Sequence, residues 1–272
     1  MSVQIKHLEA EVGLALFEQL GKKIYLTSAG RLMLRYSKAI IRSFQEAEES
    51  FSKIRNGEGG ALNLGVISSG SYFFPALIAE FVEANHGIEP RLSVDNRDDL
   101  LRGVEENRID LAVTLGAPSN PRLVSEPFAS HSFVIVAPPR HRLAGSANIA
   151  LCELANERFI VREQGSDMRS AFDQCIAGAT EVRAPLEFTD TEAIKQAVIA
   201  GMGVSFVSAH CVELEVRAGL LSVLDVIGLP WVCQWRLIHH ADKQLEPAAA
   251  AFRLFLLEQA ATRIAGMAKA AG

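Results

Sequence analysis

From residue 61 to residue 259 the chain alternates short β-rich runs with short amphipathic runs, and this alternation leaves few folds open to it. Strands are expected at 61–67, 91–95, 110–115, 132–137, 158–162, 185–188, 204–208 and 231–239. Helices are expected at 74–82, 98–106, from about 168, at 192–200 and at 247–259. Strand–helix alternation of this kind implies an α/β domain of parallel sheets covered by helices. Ligands of such sheets bind beyond the carboxyl ends of strands, where helices begin and their free N–H groups point outward.

That rule selects a small set of residues. Ser68 and Ser69 follow the first strand, Asn96 and Arg97 follow the second, and Thr114 ends the third. Gly165-Ser166-Asp167-Met168-Arg169 joins a strand to a helix, and Thr191-Glu192 opens another helix. Hydroxyl and amide donors accompanied by Arg97 and Arg169 favour an anion, because guanidinium groups bind carboxylate or phosphate in a bidentate fashion. A serine or threonine at a helix start is more often a cap than a ligand contact when taken alone. The shared topological position supports the set rather than any single member.

Ahead of this domain, Met33, Ser37, Ile40, Phe44, Ala47, Phe51 and Ile54 are spaced alternately four and three apart. This is a heptad seam on a helix of about thirty residues, roughly 45 Å long at ~1.5 Å per residue. A helix of that length needs a partner for its seam, and a second copy of the chain is the natural one. Asn56-Gly57-Glu58-Gly59-Gly60 then reads as a hinge.

The first thirty residues complete the organisation. Ile5, Leu8 and Val12 recur at helical spacing, and Gly13 fits a helix stop. Leu14, Leu16 and Phe17 form an apolar plug, and Gly21-Lys22-Lys23 makes a basic turn before Ile24-Tyr25-Leu26. Thr27 is placed to cap the long helix. A short polar helix beside a basic hairpin suits DNA, with the helix reading bases and the wing holding phosphate. The spacing alone fits an ordinary amphipathic helix and hairpin as well. Charge separates the two ends of the chain. Residues 1–42 hold seven Lys or Arg against three Glu, whereas the whole chain carries a net charge of −5. The basic excess therefore sits where phosphate attraction would need it.

Other classes fare worse. No apolar run is long enough to span a bilayer, and no basic start followed by an apolar core marks a signal peptide, so a cytoplasmic protein is expected. Cys152, Cys175, Cys211 and Cys233 lack metal-like spacing and read as reduced, mostly buried thiols. His131, His141, His210, His239 and His240 sit in unrelated contexts with no paired nucleophile and base, so neither an enzyme nor a metal site is expected.

The run QIKHLEAEVGLALFEQLGKKIYLTSAG resembles the DNA-binding domain of LysR-type transcriptional regulators. It carries the pattern IK-x-LE-x-E-x-G-x-x-LFE, a wing, and LT-x-AG. Gln19 departs from it, since arginine usually follows LFE there. The resemblance implies a partial winged helix-turn-helix over 1–27, with Ser2, Gln4, Lys6, His7, Lys22 and Lys23 facing promoter DNA. It also implies a linker and dimerisation helix with its hinge over 28–60. Family members carry two helices ahead of this point. Their absence before Met1 implies a loosely held first helix and weakened binding of double-stranded DNA.

TEAIKQAVIAGMGVSFVS resembles the family's effector-binding domain, which is two-lobed like a periplasmic binding protein. On that resemblance residues 61–272 form the effector domain, with the chain crossing between lobes near 136–139 and 239–241. Lobe one would hold 61–137 and 241–272, and lobe two 138–240. DNRDDLL, VAPPRHRLAG, REQGSDMRSAF and HHADKQLEPAAAAFRLFL further resemble regulators of carbon-fixation operons. This implies no fixed cofactor, but a small effector such as a phosphorylated metabolite or nicotinamide nucleotide. It also implies a homodimer that pairs into a tetramer, with no membrane partner. Asp167 stands where the family has a small glycine-rich loop and would repel phosphate unless it points away. The alternative is a stand-alone small-molecule-binding protein of the same two-lobed fold without effective DNA binding.

Overall fold

The computed structural model describes residues 3–21, 23–56, 59–176 and 185–270, in two compact units, 1–56 and 57–272. In the first unit α1 (Val3–Val12) precedes a hairpin of β1 (Phe17–Leu20) and β2 (Lys23–Leu26), followed by α2 (Ser28–Asn56). Gly13 ends α1 with φ +71° and donates to the Glu9 carbonyl, as its lack of a Cβ allows. Glu9 Oε1 accepts the N–H groups of Leu16 and Phe17 at 2.7 and 3.2 Å, which ties helix to hairpin. Thr27 Oγ1 caps α2 by accepting the Gly30 N–H at 3.0 Å. Of the expected plug only Leu16 is buried in full, and Leu14 faces solvent. Helix α1 buries none of its residues. Along α2 the seam residues Ile40, Phe44 and Phe51 are all exposed in the single chain.

The second unit runs β3 (Gly60–Ile67), α3 (Phe74–Ala84), β4 (Ile88–Asp95), α4 (Arg97–Glu105), β5 (Leu111–Thr114) and β6 (Leu123–Ala137). Then come β7 (Ile160–Arg162), α5 (Asp167–Cys175), β8 (Leu186–Phe188), α6 (Thr191–Ile199), β9 (Ser205–Ser208) and α7 (Ala209–Arg217). The chain ends with β10 (Ser222–Leu224), β11 (Trp231–His240), α8 (Pro247–Phe255), one π-helical turn and α9 (Ala261–Ala270).

The main sheet is mixed rather than wholly parallel, in the order β10-β6-β11-β5-β3-β4, with β9 also on β6. Strands β4, β3 and β5 are parallel, as the alternation requires. The long strands β6 and β11 pair antiparallel from Trp231 with Phe133 to His240 with Leu123. They thread both halves of the unit. Near one end β11 pairs with β5 through Arg236–Ile238. Near the other, β6 pairs with β9 and β10 through Phe133–Ala137. Between these regions the register shifts, with Trp235 opposite Ala129 and Arg236 opposite Pro127. Phe128 is the extra residue, and Pro127 has no N–H for the ladder, which is the situation in which a bulge forms.

One continuous core carries aromatic packing on both sides of this register shift. In lobe one, around β3–β5, Phe252 of α8 meets Phe74 and Phe81 edge-on at 5.8 and 4.9 Å. In lobe two, around β7–β10, Phe133 stacks on Phe206 at 4.9 Å, and Phe172 packs on Phe159 and Phe206. Gly203 enters β9 at a close approach: a Cβ there would lie 2.1 Å from the Arg158 carbonyl oxygen. The glycine lets the Val204 N–H bond that same oxygen at 2.9 Å.

Candidate functional site

The carboxyl ends of β3, β4 and β5 and the N-termini of α5 and α6 converge between the lobes. Their centre is a residue not anticipated from the sequence. Arg162, the last residue of β7 in lobe two, is only 7% exposed. Its Nη1 donates to Ser68 Oγ at 2.7 Å and to Thr191 Oγ1 at 2.9 Å. Its Nε and Nη2 donate to the two oxygens of Glu163 at 2.7 and 2.8 Å. Ser68 follows β3 in lobe one and Thr191 opens α6 in lobe two, so one guanidinium spans the cleft. The only local signal for Arg162 is a cation closing the apolar run Phe159-Ile160-Val161, which a buried strand tolerates only if partners are waiting.

A second inter-lobe group joins Arg97, at the start of α4, to Asp167, at the start of α5. Arg97 Nε lies 3.5 Å from Asp167 Oδ1, and Asp167 Oδ2 accepts the Leu115 N–H at 3.0 Å. Burial raises the Asp167 carboxyl above the ordinary carboxylate range, against the pull of Leu115 and Arg97. A cavity of about 230 Å³ adjoins the pair, lined by residues of both lobes and of β6 and β11.

A third group sits at the cleft rim. Tyr72, after β3, donates to Glu192 at 3.4 Å, and Lys195 of α6 lies 5.0 Å above the Tyr72 ring. Lys195 also bonds Glu192, Glu215 and the Cys211 carbonyl. Burial opposes its charge, but the Glu192 and Glu215 carboxylates outweigh that and raise its pKa. The Lys195 hydrogen bond holds Glu192 below the usual carboxylate range.

The remaining expected residues are committed to local structure. Asn96 caps α4 by accepting the Asp99 N–H, and Ser166 caps α5 by accepting the Arg169 N–H. Thr114 is buried and donates to the Gly116 carbonyl. Ser69 is buried beside Ser68. Arg169 turns along lobe two, donating to Asp173, Glu187 and the Arg162 carbonyl, and so braces the end of β7. On the first unit Gln4, Lys6, His7 and Lys23 are exposed, whereas Ser2 and Lys22 lie outside the described residues.

On β6, opposite Cys233 of β11, His131 is 1% exposed and lies 4.7 Å from both Phe133 and Trp235, and 5.6 Å from His210. Neither ring nitrogen has a partner among the described residues. Burial, then His210, lowers its pKa to about 3. The unfolded chain binds a proton near pH 6.5 that the folded one refuses, so the unfolded state holds more protons between those values. Stability should be full above pH 6.5 and fall as the pH drops toward 3, by up to about 1.4 kcal/mol per pH unit from this residue. His210, also lowered by burial, acts in the same sense. Thermal melts from pH 7.5 to 5 should show this slope, and it should flatten in His131→Phe. An equal slope in that variant would assign the effect elsewhere.

Comparison with known proteins accords with this geometry. The family profile described as LysR substrate binding domain matches residues 55–261. A RuBisCO operon transcriptional regulator of Allochromatium vinosum is 42% identical over 263 residues, covering 96% of this chain and 87% of the relative. The transcriptional regulator CfxR of Cupriavidus necator is 38% identical over 96% of this chain and 83% of its own. Among solved structures, the Synechocystis CcmR regulatory domain in complex with 2-PG is 35% identical with a TM-score of 0.69, covering 73% of this chain and 96% of that one.

Proposed function

Since this chain belongs to the LysR-type family of transcriptional regulators, we propose that it senses an anionic metabolite in the inter-lobe cleft and controls carbon-fixation genes. It is a regulator and not an enzyme. The observation that carries the sensing reading is Arg162, which reaches Ser68 of lobe one from lobe two. A ligand held by Ser68, Arg97, Arg162 and Thr191 would contact both lobes at once. It would stabilise one lobe angle by its difference in affinity between angles, typically worth about 1–3 kcal/mol.

The lobe crossings belong, on this reading, at Pro127–Ala129 in β6 and Trp235–Arg236 in β11, where the register shifts. That differs from crossings near 136–139 and 239–241. Lobe one then gathers 61–127 and 236–270, and lobe two 129–235. Pairing of β5 with Arg236–Ile238, and of β9 and β10 with the far end of β6, supports it.

The ligand class is tested by calorimetry with 2-PG, the molecule named in the CcmR complex, against inorganic phosphate as a control. Saturable 2-PG binding that alters promoter affinity is expected. Absence of both effects would remove this effector class.

Output to DNA belongs to the first unit, through Gln4, Lys6 and His7 on α1 and Lys23 in the wing. Dimerisation belongs to the α2 seam, in which Phe44 is 65% exposed. Two seams brought together would bury these side chains at ~25 cal/mol per Å² of apolar surface. Phe44→Asp should convert a dimer to a monomer in sedimentation at micromolar concentration, and an unchanged dimer would place the interface elsewhere. The pairing of dimers into tetramers follows the same family reading. Among the described residues no helix is long and apolar enough to cross a membrane. Action on promoter DNA supports a cytoplasmic location.

A further inference from the structure

Asp167 belongs to lobe two but is held by donors of lobe one. Its carboxylate accepts the Leu115 N–H at the end of β5, with the Gly116 N–H beside it, and faces Arg97 Nε at 3.5 Å. Its side chain is only 4% exposed. Arg97 is fixed in place: its Nη2 donates to the Ala117 carbonyl at 2.6 Å, and a Cβ on Gly116 would come within 3.0 Å of its guanidinium carbon.

Two successive backbone N–H groups and an arginine make the donor set that holds a free carboxylate or phosphate. Here a side chain from the opposite lobe occupies it. Glu163 plays no such bridging part, since it pairs with Arg162 next to it in the same lobe. Asp167 therefore does not point away from the cleft, but nor does it stand unpaired against an incoming anion. It has taken the anion's place. The adjoining cavity of about 230 Å³, lined by Arg97, Leu115, Phe133, Asp167, Trp231 and Cys233, gives ligand or displaced side chain room to enter.

We propose that Asp167 is a tethered competitor of the effector: seated in the anion site of lobe one, it latches the lobes at one angle, and an anionic ligand opens this latch by taking over Arg97 and the Leu115 and Gly116 N–H groups. The competition rests on the sensing reading above, whereas the latch does not. Arrival of the ligand exchanges a contact between lobes for a contact with ligand. That supplies the difference between states which a ligand-driven switch requires.

The test uses the full chain and two measurements. Asp167→Asn keeps the size of the side chain and one acceptor but removes the charge. In calorimetry it should bind 2-PG at least tenfold more tightly than the unaltered protein, and Arg97→Met added to it should abolish the gain. Equal or weaker binding by a folded Asp167→Asn protein would overturn the competition. Without any ligand, Asp167→Ala should speed hydrogen exchange at the Leu115 and Gly116 amides at least tenfold, relative to strand amides of β3. Unchanged exchange there would overturn the latch. If neither protein binds 2-PG while exchange accelerates as expected, the effector class fails and the latch stands.

Discussion

Arg162→Met should weaken 2-PG binding by at least a hundredfold while leaving the protein folded. A hydrogen bond to a charged partner is worth about 1.5–3 kcal/mol, and a hundredfold loss corresponds to about 2.7 kcal/mol. Four of the five Arg162 N–H groups already go to Ser68, Thr191 and Glu163, which position the fork and leave one Nη2 N–H for a ligand, and one such bond at the upper end of that range accounts for the loss. The fold should tolerate the change. Ser68 Oγ and Thr191 Oγ1 are 3.3 Å apart and can bond each other, and Glu163, which keeps 21% of its side chain exposed, can turn to water. Arg162→Lys keeps the charge but not the planar fork, and an intermediate loss, about tenfold, is expected of it. Calorimetry and thermal melts of the three proteins separate a binding role from a structural one. Wild-type affinity in a folded Arg162→Met protein would move the anion site away from this cluster.

The second large effect is on stability. Phe252→Ala should destabilise the effector domain by about 3–5 kcal/mol. Phe252 is fully buried and touches Phe74 and Phe81 of α3 and Phe255 of its own helix. Its removal opens a cavity that three rings have little freedom to fill. At roughly 2–4 °C per kcal/mol for a domain of this size, the melting temperature should fall by about 10 °C. The urea midpoint should fall with it while the slope stays constant. A change under 2 °C would mean that α8 does not fasten lobe one. The consequence reaches the cleft, because lobe one supplies Ser68 and Arg97, and β11 and α8 are the segments that return the chain to it after lobe two.

Some of this was legible in the residues and some was not. The pattern of β3, α3, β4, α4 and β5 could be read directly, because each short element carries its own apolar period and the helices carry local start signals, Pro75 in the first turn of α3 and the Asn96 cap of α4. The start of β6 was not legible. Leu123–Ser130 has polar residues at Ser125 and Glu126 and a proline at 127, and on its face value it is a loop. Its polar side chains are paid for by groups more than a hundred residues away: Ser125 accepts from Arg236 at 2.6 Å and Glu126 from Arg253. Helix α7 was missed because it is one short amphipathic stretch with no side-chain cap. In the site, strand-end position picked out Ser68, Arg97 and Thr191, which the fold does bring to the cleft. It also picked out Arg169 and Asn96, which the fold spends on a brace and a cap.

What the sequence determined by itself, then, is local and periodic. It comprises the family motif of the first thirty residues, the heptad spacing of α2, the alternation that builds the lobes, and the rule that a ligand lies beyond strand ends. Periodicity and capping act within a few residues, so they can be read along the chain. Tertiary structure alone decided which charges meet. Arg162 gains its meaning from Ser68, 94 positions earlier, and Thr191, 29 positions later. Asp167 changes from an obstacle to an anion into a stand-in for one because the Leu115 N–H, 52 positions before it, lies 3.0 Å away. Electrostatic partnership depends on distance in space and on exclusion of water, and neither is a property of spacing along a chain.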